Sequence, residues 1–181
     1  MSNGASPYAV WAAAYRKKGF WPRRITPGTK ACHDTAWQKC DSEHPPQRLQ
    51  EWEDTGRPFG IGLLMGSPFP DGSRLGALDI DNDSYVSLGR ALLRDPPCGR
   101  IGKKGAVFFV RIKGERRNAE FRVRGEANKQ LGKVAECLFH RKLCVIPPTI
   151  HPETRKSYVW LGTPLHEIDF RALPIVEVSH A

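Results

Sequence analysis

Leu75-Gly76-Ala77-Leu78-Asp79-Ile80-Asp81-Asn82 is the stretch on which the reading of this chain turns. Leu75, Ala77, Leu78 and Ile80 make a short, mostly apolar run between Asp71-Gly72-Ser73 and Asn82-Asp83-Ser84, the pattern of a strand buried on at least one side. Side chains alternate along a strand, so Asp79 and Asp81 project from one face, roughly 6.6 Å apart at their Cα atoms, while Ile80 points into the core. Two carboxylates on one face raise each other's pKa unless cations hold them. A pair of divalent ions about 3.5–4 Å apart, shared with substrate phosphates, resolves that conflict.

Three other readings meet the same residues. Asp81-Asn82-Asp83-Ser84 reads as a turn and helix cap leading into Tyr85–Arg94, which accounts for Asp83 but leaves Asp79 inside the apolar run unexplained. Asp79, Asp81 and Asp83 match the first ligand positions of an EF-hand loop. The sixth position is Ser84 instead of Gly and the twelfth is Arg90 instead of Glu, which excludes it. The third is a chance pair of surface carboxylates, which the two residues alone leave open.

Working outward, the 181 residues suffice for one domain with a real core. A composition of 40% hydrophobic and 26% charged residues is that of a globular chain. The net charge of +9 favours a polyanionic partner, nucleic acid or a nucleoside triphosphate, over a neutral one. No apolar run approaches the ~20 residues that span a bilayer, and the N-terminus has no basic-then-apolar signal pattern, so the expected setting is intracellular and away from membranes. The five cysteines include no C-x-x-C, which argues against a disulfide framework. Cys32, His33, Cys40 and His44 lie close enough for a zinc site, at a spacing that matches no common finger.

Upstream, Tyr8–Lys18 has the period of an amphipathic helix closed by Gly19, followed by a strand over Phe20–Ile25 and a turn at Thr26-Pro-Gly-Thr29. Six basic residues and no acidic one lie between Arg16 and Lys30, either a solvated edge or a wall of a phosphate cleft. A short helix is expected over Pro46–Asp54 and a strand over Phe59–Met65. Downstream, a helix over Ser84–Arg94 ends at Asp95-Pro-Pro-Cys-Gly99, where the chain is expected to divide into submodules of about 6–95 and 96–172. Strands follow at Ala106–Ile112, Ala119–Val123, Lys133–Phe139, Leu143–Ile146 and Tyr158–Trp160, with a last helical turn at Leu165–Arg171.

Nine Lys or Arg against two Glu between Arg100 and Arg124 make this the most basic region, suited to a bound polyanion or to a solvated face. Gly102 and Gly105 of Arg100-Ile-Gly-Lys-Lys-Gly105 would let backbone amides approach an anion beside Lys103 and Lys104, although no Walker loop is present. Glu136 stands inside the apolar run Val134-Ala-Glu-Cys-Leu138, a costly position unless an arginine or a metal meets it. Val145-Ile-Pro-Pro-Thr-Ile-His-Pro-Glu-Thr154 joins a rigid Pro-Pro turn to His151, Thr149 and Thr154.

In this order the pieces resemble the N-terminal primase-polymerase domain of the archaeo-eukaryotic primase superfamily, found in phage and plasmid replication proteins. The resemblance runs from about Tyr8 to Ile168. It rests on Pro27-Gly28-Thr29-Lys30, Trp37 and Trp52, Gly60-Ile-Gly62 and Gly66, Asp79-Ile80-Asp81, Arg100-Ile101-Gly102, Val134-Ala-Glu136, and Pro147-Pro-Thr-Ile-His151-Pro with Thr154, Tyr158 and Trp160. It implies an α/β (α+β) fold in two modules, an N-terminal α/β unit and an RRM-like strand-rich unit, with the active site in the crevice between them. It also implies that Asp79, Asp81 and Glu136 bind two Mg²⁺ or Mn²⁺ ions for nucleotidyl transfer from nucleoside triphosphates onto a primer on single-stranded or primed DNA, in a cytoplasmic host setting and beside a helicase domain or protein. The family's small-residue-x-His motif falls at Gly102-Lys-Lys-Gly105, which has no His. Lys103 or Lys104 would replace it as a charge, with His151 and Lys30 as further triphosphate contacts and Arg111, Arg116 and Arg122 on the template backbone.

Overall fold

The computed structural model describes residues 6–39, 57–124 and 130–179. Its first element, α1 (Pro7–Lys17), starts where Ser6 accepts a hydrogen bond from Ala9 N (3.1 Å) and Pro7 supplies a preset φ. It stops at Gly19, whose φ of +82° an L side chain would resist. Tyr8, Ala12 and Tyr15, one face of the helix, are buried.

Three strands make a small antiparallel sheet in the order β1 (Pro22–Ile25), β2 (Gly60–Met65), β8 (Lys142–Ile146). A second, seven-stranded sheet runs β6 (Ala119–Arg124), β7 (Gln130–Leu138), β3 (Arg74–Ile80), β5 (Ala106–Gly114), β4 (Cys98–Ile101), β9 (Val159–Gly162). Its last member, β10 (Ile175–Val178), adds in parallel along the end of β5 at Arg111–Gly114. The helix α2 (Val86–Leu92) follows β3 after a single 3₁₀ turn at Asp83–Tyr85. The protein is thus α+β, with few helices and strand-rich sheets.

The core lies between the two sheets. Tyr8, Tyr15 and Phe20 from the N-terminal segment, Ile61, Leu63 and Met65 of β2, and Leu75, Ala77, Val107 and Phe109 of the large sheet form one buried cluster. Alternation sends Ile80 and Phe108 to the opposite face, where Leu78, Tyr85 and Val86 pack against them.

The sheets do not divide near residue 95. Every ladder group of the central strand β3 needs a partner, and its two neighbours, β5 and β7, come from the later half of the chain. Conversely, β8 returns to pair with β2. Cys98 and Gly99, expected as part of a break, begin the strand Cys98–Ile101, held by β5 and β9. Leu165–Arg171 yields only a 3₁₀ turn at Phe170–Ala172, capped by Asp169. The helix expected over Pro46–Asp54 lies outside the described residues.

Candidate active site

Asp79 is the penultimate residue of β3 and faces the space between the sheets, where the packed core gives way to a cleft of about 280 Å³. Asp81 follows the strand, fixed by Asp81 N donating to Val134 O (2.9 Å), and lines the same cleft. Glu136 on β7 is the direct cross-strand partner of Asp79. Opposed residues of an antiparallel pair share a face, so the register alone brings the three carboxylates to one side of the sheet. Facing them, basic side chains come from two separate segments, Lys30 and then Arg100 with Lys103 and Lys104, beside His151, Glu153 and Tyr158 and the apolar Leu138, Leu143 and Val145.

The acidic end holds more negative charge than burial tolerates. Burial pushes the Asp79 carboxyl above its ordinary range, and Asp81 and Glu136 add to the rise, while Arg100 and Lys133 oppose it without cancelling it. Burial also works against the charge on Glu136, but Lys142 and Lys133 outweigh it and hold that carboxyl below the usual range. Lys142 Nζ lies 2.7 Å from Glu136 Oε1, and Lys133 Nζ lies 2.9 Å from Oε2 and 3.1 Å from Asp81 Oδ2. The last is an ion pair outside hydrogen-bond geometry, and Asp81 Oδ2 is buried without a hydrogen-bond donor.

These observations bear on a divalent ion. Asp79, desolvated and repelled by its neighbours, and Asp81, whose buried Oδ2 is met by Lys133 at 3.1 Å without a hydrogen bond, suit a cation shared between them. Glu136 differs, because both of its oxygens are taken by ammonium groups. Among the described residues no three His, Cys, Asp or Glu side chains are grouped as a metal site. The residues present therefore fit an ion held by Asp79 and Asp81, and Glu136 joins it only if Lys133 swings away.

At the other end, His151 is buried, and its Nδ1 accepts from Glu153 N (3.2 Å) and Thr154 N (3.3 Å). Those amides fix the tautomer in which Nε2 carries the proton and can donate. Burial, with Lys30, Arg100 and Lys103 nearby, keeps the imidazole below its ordinary pKa and hence neutral. Lys103 Nζ is tied to Glu153 (2.6 Å), whereas exposed Lys104 lines the cleft beside it. Gly105 is obligatory: at φ +60° its Cβ would lie 1.7 Å from Ile80 O. Its amide donates to Asp83 Oδ1 (2.6 Å), so this amide serves the turn and not an anion, and Asp83 is an anchor for the Lys103–Lys104 turn.

Arg111 is not a template contact. It is buried, and it donates to Leu173 O (3.1 Å), Arg171 O (2.9 Å) and Asp71 Oδ2 (2.8 Å), which ties β5 to the C-terminal segment. Its alternation with Val110 and Ile112 could not reveal that, because the acceptors lie 40 to 62 residues away. Arg116 and Arg122 are exposed, the latter paired with Glu120 at 2.8 Å. Within the basic stretch Arg16–Lys30, Arg23 is fully buried against Trp37 O and Pro22 O, and Arg24 pairs with Asp34, so neither belongs to an open phosphate wall. For the zinc expectation, Cys40 and His44 lie outside the described residues. Cys32 is buried, its thiol pushed up to about 12 by burial and donating to Asp34.

Two residues at the site, Lys133 and Lys142, had no role assigned from the sequence, and Arg100 and the buried Tyr158 entered only as motif residues. Each is a single basic or aromatic residue in a basic chain, and only strand register brings it to the carboxylates or the cleft. The family model for the N-terminal domain of bifunctional DNA primase/polymerase matches residues 12–176. No curated protein matches the chain.

Proposed function

The chain belongs to the bifunctional DNA primase/polymerase N-terminal domain family, and from that membership we propose that it is a DNA-templated nucleotidyltransferase working in the cleft between its two sheets. Membership supports primase/polymerase activity in general. The finer reading rests on one observation: Asp79 and Asp81, carboxylates in need of a cation, face Lys30, Lys103, Lys104 and His151 across about 280 Å³. A triphosphate lies naturally along that axis, with its α-phosphate toward the acids and its outer phosphates toward the bases.

In this reading Asp79 and Asp81 would hold Mg²⁺ or Mn²⁺. Bound there, the ions would lower the pKa of the attacking hydroxyl and offset charge on the entering and leaving oxygens. The chain's own residues do the rest. A primer 3′-hydroxyl gives up its proton to water and attacks the α-phosphorus, the bond to the bridging oxygen breaks, and pyrophosphate leaves with the electron pair. Lys104 and Lys30 meet the outer phosphates as point charges, and His151 Nε2–H donates a hydrogen bond without carrying charge. Lys103 joins them when Glu153 releases it. Lys142 and Lys133 keep Glu136 ionised beside Asp79, and Glu136 becomes a further ligand when Lys133 swings away. Exposed Arg116 and Arg122, outside the cleft, serve the DNA backbone.

Incubation with Mn²⁺, a primed DNA template and labelled nucleoside triphosphates tests the proposal. Extension of the primer is the expected result. Shortening would make the acids those of a nuclease, and retention of DNA without either would make the protein a binding module.

A further inference from the structure

The register of the large sheet aligns residues far apart in sequence. Glu120 opposes Glu136, Glu136 opposes Asp79, Asp79 opposes Val107, Val107 opposes Arg100, and Arg100 opposes Trp160. Opposed residues share a face, so this is one transverse row, with carboxylates at one end and Arg100 two strands beyond Asp79, roughly 10 Å away at the backbone.

Arg100 differs from the arginines that ion pairs hold in place. Arg24, Arg90, Arg111, Arg122 and Arg171 each pair with a carboxylate. Among the described residues Arg100 has none within 4 Å; its guanidinium carbon lies 4.7 Å from the centre of the Tyr158 ring and its Nη2 3.9 Å from Cys144 Sγ. Its Nε is buried and donates to nothing. The backbone makes room for this stack, since a Cβ on Gly102 would lie 2.7 Å from the Tyr158 ring and 3.3 Å from Arg100 Nη1. A cation held over an aromatic ring, with an unspent buried donor, in the cleft that Asp79, Asp81 and the lysines also line, is built for an anion.

We infer that Arg100, stacked on Tyr158, is a phosphate ligand of the incoming nucleoside triphosphate, and that Tyr158 is the positioning residue that sets its plane. The inference rests on the nucleotide-polymerising reading above. A guanidinium offers paired in-plane N–H groups to two phosphate oxygens at once, which a lysine cannot do. The same chemistry would suit a DNA backbone phosphate, but Arg100 lies inside the cleft with Asp79, whereas the exposed arginines lie outside it.

Equilibrium binding of a fluorescent, non-hydrolysable nucleoside triphosphate, measured in EDTA and again in Mn²⁺, tests it, with template affinity measured in parallel. In EDTA, Arg100→Lys keeps the charge and the packing volume yet should weaken nucleotide binding about tenfold, and Arg100→Ala more. Tyr158→Phe should bind as wild type and Tyr158→Ala should fall like Arg100→Lys, with template affinity unchanged throughout. Wild-type nucleotide binding by both Arg100 variants would overturn the inference and leave Arg100 as a counter-charge for Asp79. Weakened template binding with intact nucleotide binding would overturn it in favour of the DNA backbone. If wild type itself bound no triphosphate, the reading of the cleft would fall first and the inference with it.

Discussion

Asp79 and Glu136 are direct cross-strand partners, yet neutralising them should change stability in opposite directions. Asp79 is desolvated beside two other carboxylates and its pKa is raised. Its charge therefore costs folding free energy: stability falls as pH rises from the ordinary aspartate range through the raised pKa, and the full cost persists at neutral pH. Glu136 has a lowered pKa, so its contribution is complete above the ordinary glutamate range and is lost as pH falls through the lowered value. Asp79→Asn in EDTA at pH 7 should gain about 1 kcal/mol, the usual yield of relieving a functional site. Glu136→Gln loses ion pairs to Lys142 at 2.7 Å and Lys133 at 2.9 Å, whose side chains are 42% and 29% exposed. Discounted for that exposure, the pair is worth about 1–2 kcal/mol. For a chain of this size these correspond to a Tm rise of roughly 2–4 °C and a fall of roughly 2–8 °C. Thermal unfolding followed by circular dichroism reads both, and Mn²⁺ at 100 times its Kd should then stabilise wild type by about 2.7 kcal/mol and Asp79→Asn much less. A destabilised Asp79→Asn, with Mn²⁺ raising its Tm as much as that of wild type, would refute the reasoning.

Other residues give sharper separations of role. Lys104→Ala should raise the KM for nucleotide about tenfold, or roughly 1.4 kcal/mol, with template affinity unchanged. Lys103→Ala should do less, because Glu153 already holds that ammonium; steady-state incorporation against nucleotide concentration compares them. Arg111→Ala should cost about 3 kcal/mol by orphaning two carbonyls and Asp71, seen in urea unfolding, with no change in the salt dependence of template binding. Replacing Arg116 and Arg117 together by Ala should instead flatten the log–log salt dependence of template affinity while stability holds.

Local signals carried much of the architecture. Ser6-Pro7 and Gly19 bracket α1, and the apolar run ending in Asp79-Ile80 is the central strand, because burial on both faces leaves an almost unbroken hydrophobic sequence. Val134-Ala-Glu-Cys-Leu138 was legible for the same reason, and a lone Glu there demanded a partner. What it pairs with was not legible: two lysines, brought by β7 itself and by β8, instead of an arginine. The strand β4 was hidden because Pro96-Pro97 and Gly99 punctuate it, and its extended state comes from β5 and β9, neighbours supplied by distant sequence. With β4 went the register that sets Arg100 in line with Asp79. Arg111 misled in the other direction, since a basic residue in a basic region reads as surface until the carbonyls of Leu173 and Arg171 are seen at its guanidinium.

Asp79 is the residue on which the proposed chemistry depends most directly. Primer extension by Asp79→Asn, assayed with Mn²⁺ on a primed DNA template at a concentration where template binding is shown to equal that of wild type, should fall by orders of magnitude while the protein remains folded. Extension near the wild-type rate would contradict the assignment of this strand as the centre of the chemistry.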